Sequence, residues 1–216
     1  MNFEQARFNM IEQQIRTWQV LDQRTLDLFA EIHREDFFPD TYKQLALADV
    51  NIPLLHDQVT MTPKVEARLL QSLSVQDNEK VLEIGTGCGY LTALLARSAD
   101  EVHSVDIFPV FTEQARSKFA GYRLNNIHLH NGDASHGWQD GNRYDVIVVT
   151  GSVPVVDNSF RQQLRINGRL FIIAGESPVM EAMLITRIGE QEWAKESLFE
   201  TDLPALVGAS KQKFEF

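Results

Sequence analysis

An α/β fold on a doubly wound, mostly parallel sheet is what this chain predicts, and three observations carry the expectation. Short strand-type runs at residues 81–84, 102–106, 127–131, 144–150 and 168–174 are separated by turns and helix-patterned stretches. The first run stops at Gly85, Gly87 and Gly89, and helix formers from Leu91 to Ala99 follow at once. The next two runs each end on a carboxylate, Asp106 and Asp133.

Taken from the N-terminus, residues 1–75 read as a helical extension expected to cover the crevice of the sheet, and residues 76–216 as the core, together one domain. Phe3, Phe8, Met10, Ile11 and Ile15 give the first helix an apolar stripe suited to docking on a core. In Val81-Leu82-Glu83-Ile84 the apolar residues read as a buried strand, and the glycines after it allow a sharp turn whose amides approach a ligand. The helix N-terminus adds a partial positive charge there. Tyr90 stands where the third glycine of G-x-G-x-x-G would fall, so a pyrophosphate cofactor is disfavoured.

Asp106, with Ile107 after it, closes the second strand at the same sheet edge, where a carboxylate reaches the ribose hydroxyls of a nucleotide-like ligand. Asp133 and Ala134 follow the third strand, and Asp133 is suited to an adenine amino group. Residues 144–150 are apolar enough for the sheet centre. Residues 160–164 read as a short helix, Asn167-Gly168 as a turn, and 182–188 with 193–199 as two strands forming an antiparallel edge, seven strands in all. The length suits one sheet between two helical layers.

The glycine turn with Asp106 and Asp133 resembles the S-adenosylmethionine-dependent methyltransferases, which implies a Rossmann-like methyltransferase fold and that cofactor. The likeness narrows at Val-Leu-Glu-Ile-Gly-Thr-Gly-Cys-Gly-Tyr (81–90), Asn-Gly-Asp-Ala (131–134), Tyr-Asp-Val-Ile-Val-Val-Thr (144–150) and Gln-Gln-Leu-Arg-Ile-Asn-Gly-Arg-Leu (162–170). These segments are similar to the protein-L-isoaspartate (D-aspartate) O-methyltransferase family, as are Arg16 to Phe38 and Gln58-Val59-Thr60-Met61-Thr62-Pro63. The resemblance implies methylation of isoaspartyl carboxylates in damaged proteins or peptides. It assigns the cofactor to Glu83, Gly85, Thr86, Gly87, Gly89, Leu91, Asp106, Ile107, Asp133 and Ala134. Thr60, Thr62 and Thr150 are the candidates for positioning at the reaction centre, with His56 and Met61 on the acceptor side.

Two departures concern the acceptor. Met61 stands at the family's serine, and a thioether cannot donate a hydrogen bond. Neighbours in an extended segment point to opposite faces, so Thr60 and Thr62 are not expected to replace it. Residues 198–206 stand where the family has a Val-Arg-Phe-Val-Pro-Leu-like strand, and here Glu200 and Asp202 are acidic. A small-molecule acceptor, or a cofactor-binding module without turnover, therefore stays open beside the leading reading.

A formal charge of −10 opposes binding to phosphate backbones. Residues 150–152, Thr-Gly-Ser, also lack the Asx-Pro-Pro-aromatic sequence of base-amino methyltransferases. No apolar run reaches membrane-spanning length and the start lacks a signal-peptide core, so a soluble cytoplasmic protein is expected. The single cysteine, Cys88, excludes an internal disulfide and is expected to pack in the glycine turn. His128 and His130 alternate on a strand with no third ligand near in sequence, so no metal is expected. Nothing in the sequence sets an oligomeric state.

Overall fold

The computed structural model describes residues 2–209. Its seven strands are β1 (Lys80–Ile84), β2 (Glu101–Asp106), β3 (Ile127–Asn131), β4 (Tyr144–Val153), β5 (Leu164–Glu176), β6 (Val179–Arg187) and β7 (Trp193–Thr201). They form one sheet in the order β3-β2-β1-β4-β5-β6-β7, parallel from β3 to β5 and antiparallel at β5–β6 and β6–β7. The doubly wound sheet with an antiparallel edge is therefore present, and its order reverses between β1 and β4. Crevices for ligands open at such a reversal, outside the carboxyl ends of the strands.

Period-two alternation divides the core. Val81, Val146, Val148, Phe171 and Ile173 face one side, and Leu82, Ile84, Ile147, Val149, Leu170 and Ile172 the other. On the first side lie α1 (Phe3–Met10), α2 (Gln23–Glu31), α3 (Pro63–Leu73), α4 (Tyr90–Ser98) and α5 (Pro109–Phe119). In α4 all residues but Arg97 are buried, wedged between the sheet and the N-terminal helices. Each Leu so buried contributes roughly 1.5–3 kcal/mol.

The second side corrects the expectation of two full helical layers. Among the described residues its one helix is the five-residue α6 (Asn158–Gln162), because the β3–β4 connection is broken into turns at Gly137 and Gly141, both with positive φ. Among the described residues no helix therefore covers the face of β2 and β3 that carries His103, His128 and His130. Burial lowers the pKa of His103 and of His130, so both rings are neutral at pH 7.

Two strand boundaries also differ from the sequence reading. β4 continues beyond Thr150, with two extra residues bulged between the Val148–Phe171 and Ser152–Ile173 pairs. β5 begins at Leu164, so the Asn167-Gly168 turn is an excursion within the strand, with Asn167 at φ 67°. In the N-terminal extension Met10, Ile11 and Ile15 are buried, while Phe8 is exposed. The extension covers the sheet face, and only its hairpin around the Pro53–Val59 bridge reaches the crevice.

Arg34 fixes that hairpin. Fully buried, it donates from Nε to Glu66 (3.0 Å), from Nη1 to the Ala46 carbonyl (2.7 Å) and from Nη2 to the Met61 carbonyl (2.8 Å). Phe38 and Tyr90 rings lie against the guanidinium at 5.2 and 5.6 Å. Glu66→Gln would leave this charge uncompensated in the core. The expected loss is about 3–5 kcal/mol in urea unfolding followed by circular dichroism; a loss under about 1 kcal/mol would mean that the dipoles alone hold the guanidinium.

Candidate active site

A cleft opens at the strand reversal, lined from β1, β2 and β4, from the turns that follow β1 and β3, and from the N-terminal hairpin. Gly85 and Gly87 form one wall, at φ 100° and 52°. A Cβ at Gly85 would overlap Thr150 Oγ1, which donates to the Ile84 and Gly85 carbonyls at 2.9 Å each. The β4 bulge is what turns Thr150 toward β1, so glycine and threonine together shape this wall.

Asp106 lies at the end of β2, and its Oδ2 accepts from the Gly87 amide (3.0 Å) and Oδ1 from the Phe108 amide (2.9 Å). Burial raises its pKa, and these amide hydrogen bonds oppose the rise. Ile107, Asp133 and Ala134 line the same cleft. Asp133 Oδ1 accepts from the Ser135 amide (2.9 Å), a bond that lowers its pKa. Seven residues singled out in the sequence are thus brought together: Gly85, Gly87, Asp106, Ile107, Asp133, Ala134 and Thr150.

Four others stand behind the cleft. Glu83 accepts from the Thr92 and Ser104 hydroxyls, and Thr86 Oγ1 bonds Ser104 Oγ at 2.7 Å, all buried. Leu91 packs in the core of α4. Gly89 caps α4 at φ 86°, where a Cβ would strike Ala115 at 2.7 Å, so its glycine serves the packing of α4 on α5. These residues shape the turn without lining the space it encloses.

A second cavity holds Met61, Thr62, Asp49, Lys64, Glu200 and Asp202, and Leu203 lines both spaces. Thr62 is the N-cap residue of α3, with φ −79° and ψ 156°, and its buried Oγ1 has no hydrogen-bond partner among the described residues. Met61 and Thr62 both line the cavity, yet the Thr62 hydroxyl is enclosed by protein and does not face it. Thr60 lines neither space: its Oγ1 takes the Ile52 amide (3.1 Å) and Arg34 (3.3 Å). His56 sits at the exposed hairpin tip at φ 56°, its ring stacked on Phe108 at 4.1 Å.

Sequence reasoning did not place the hairpin and the tail at the main cleft. Leu54 and Gln58 line the main cleft, with Phe108 and Phe111 beyond Asp106. β7 ends at Thr201, and residues 203–207 then cross the cleft, with Ser152 donating to the Pro204 carbonyl (3.0 Å) and Leu206 to the Ser152 carbonyl (2.8 Å). Phe108, two residues past a strand-end carboxylate, carried a usable signal; the crossing tail carried none.

A sheet of this order, with a glycine turn and two strand-end carboxylates around one cleft, defines the fold class of nucleoside-dependent methyltransferases. The protein-L-isoaspartate (D-aspartate) O-methyltransferase family profile matches residues 5–209, and the chain belongs to that family. A protein-L-isoaspartate O-methyltransferase of Brucella anthropi is 32% identical over 208 residues, 96% of this chain and 95% of the relative. That of Anaeromyxobacter dehalogenans is 40% identical over 159 residues, 73% of this chain and 76% of the relative. Among solved structures, a Plasmodium falciparum chain in complex with S-adenosyl-L-homocysteine superposes with a TM-score of 0.79 at 15% identity, covering 95% of this chain and 98% of that one.

Glu83 gives the site a pH signature. Burial pushes its carboxyl up to about 8, against the opposing hydroxyl hydrogen bonds from Ser104 and Thr92. The folded chain therefore keeps a proton that the unfolded chain releases near 4.3, and stability falls as pH rises between those values. Glu83→Gln keeps the shape without that loss. Relative to wild type it should gain stability from pH 5 to pH 8, on the order of a few kcal/mol, in urea unfolding at each pH; a pH-independent difference would refute a protonated Glu83.

Proposed function

We propose that this chain transfers the methyl group of S-adenosylmethionine to the side-chain carboxylate of isoaspartyl residues in proteins or peptides. The observation that carries this reading is the adjacency of two spaces at Leu203: a cleft ringed by Gly85, Gly87, Asp106 and Asp133, and a second cavity lined by Met61 and Thr62. The relatives named for the same activity support it.

The residues fit the cofactor. Each Asp106 oxygen accepts one backbone amide and keeps a lone pair for a ribose hydroxyl. Asp133 Oδ2 is suited to an exocyclic amino group, and Ile107 and Ala134 offer apolar surface to a base. When bound, S-adenosylmethionine supplies a methyl on a positively charged sulfur that departs as a neutral thioether. An acceptor carboxylate is already ionised at neutral pH, so no general base is required. The chain's task is alignment and exclusion of water. Thr62 and Met61 line the acceptor side, Thr150 sets the glycine wall, Thr60 braces the hairpin, and His56 stacks on Phe108 beside the cleft.

A second reading has its own observation. Asp49, Glu200 and Asp202 line the acceptor-side cavity, and its cation, Lys64, is already paired with Asp49 at 2.6 Å. That field opposes a carboxylate and favours a small neutral or cationic acceptor. A cytoplasmic location belongs to the leading reading. No described helix is long and apolar enough to cross a membrane.

Labelled cofactor decides between the readings. An isoaspartyl peptide should take up base-labile label and its aspartyl twin should not; equal or absent labelling, with cofactor affinity intact, would overturn the assignment. Met61→Ser should raise isoaspartyl turnover severalfold if the family's hydroxyl position is the limiting donor, and an unchanged rate would remove position 61 from that role. Asp106→Ala should weaken S-adenosylhomocysteine binding by about tenfold or more in calorimetry, whereas full affinity would remove Asp106 from the ribose.

A further inference from the structure

The sheet face without a helix carries a cluster that the methyl-transfer reading does not use. Register pairs His103 of β2 with His128 of β3, and Glu101 lies two residues before His103 on the same face. Glu101 Oε1 is 3.0 Å from His103 Nε2 and 3.1 Å from His128 Nε2, and the three ligand atoms lie within 4.8 Å of one another. Among the described residues no other group of three such side chains converges this closely. Sequence spacing hid it, because the partners of His128 stand one strand away rather than nearby in the chain.

We propose that Glu101, His103 and His128 bind a divalent transition-metal ion of the zinc type, with water completing its coordination. Two imidazoles and one carboxylate form a mixed nitrogen and oxygen set, which zinc and its neighbours accept and which magnesium and calcium, with their preference for all-oxygen shells, do not. Ligands about 2.1 Å from a tetrahedral ion stand roughly 3.4 Å apart, so the two measured edges need only a few tenths of an ångström of expansion.

The surroundings match a metal site in two further respects. His103 Nδ1 is 3.0 Å from His130 Nε2, the kind of outer hydrogen bond that fixes the orientation of a ligating ring. Lys80 takes the other oxygen of Glu101, Oε2, at 3.2 Å, leaving Oε1 facing the two rings. Its charge weakens the site, and micromolar rather than nanomolar affinity is expected. His103 is buried under the edge of the Tyr144 ring, while the His128 side chain is 52% exposed, so the ion has an entry path and open positions.

Glu101 opens β2 and Asp106 closes it, about 16 Å apart along an extended strand. The ion would therefore clamp β2 to the edge strand β3 and act on stability, without touching the cleft. The test uses the full chain without an affinity tag, stripped by chelator. Calorimetry with zinc chloride and visible absorption with cobalt(II) should show one equivalent bound, and saturating zinc should raise the thermal midpoint by a few degrees. His128→Ala, at a half-exposed position, and Glu101→Gln should each weaken binding at least ~tenfold and abolish the thermal shift, with circular dichroism unchanged. Asp106→Ala should leave metal binding intact. No binding at about 100 µM zinc, or wild-type affinity in His128→Ala, would overturn the proposal.

Discussion

The buried Arg34 guanidinium is the constraint on which the site rests. A charge taken wholly out of water is tolerable only when it is paired and hydrogen-bonded, and Glu66, Ala46, Thr60 and Met61 supply the acceptors. Those acceptors belong to α3, to the turns after Phe38 and to the segment that lines the acceptor-side cavity. One side chain therefore sets the height of residues 60–61 above the sheet. The placement of Met61 and Thr62 at the second cavity, and of Gln58 and Leu54 at the first, follows from that anchor. Arg7 and Glu35, also buried and paired, tie α1 to the turn that carries Arg34.

The sheet distributes its polar residues according to what covers each face. Where α4 packs, Glu83 finds only hydroxyl partners and keeps its proton. Where no helix packs, β2 and β3 can carry a glutamate and three histidines, because water reaches the outermost ring and the inner ones satisfy one another. The turn-broken β3–β4 connection that leaves this face uncovered also carries Asp133 and Ala134 directly from the end of β3 into the cleft.

Features set by local chemistry were legible in the sequence. Val81 to Ile84 before alternating glycines dictated β1 and the turn, and the strand-end positions of Asp106 and Asp133 placed them at one edge. What stayed hidden depends on long-range packing. Thr86 and Leu91 sit in the right segment, yet the helix start at Tyr90 turns them inward. Met61 and Thr62, neighbours in the chain, line one cavity because the segment passes into a helix cap at Thr62. The tail at residues 203–207 is held by hydrogen bonds to Ser152, about fifty residues earlier, and no local pattern announces them. Glu101 and His128 meet only through strand register.

Charge links the two spaces in the proposed reaction. A cationic sulfonium gains from a cleft bordered by Asp106 and Asp133 in a chain of net charge −10, while an anionic acceptor is opposed by Glu200 and Asp202. Methyl transfer removes both charges at once, since a sulfonium and a carboxylate give a thioether and an ester. Enclosure from water then raises the energy of the separated charges more than that of the transition state, where they are partly neutralised. The tail across the cleft and the hairpin held by Arg34 supply that enclosure from opposite sides. On this argument the acidic rim costs acceptor affinity more than it costs rate once the acceptor is bound, because both products are uncharged at the reacting atoms.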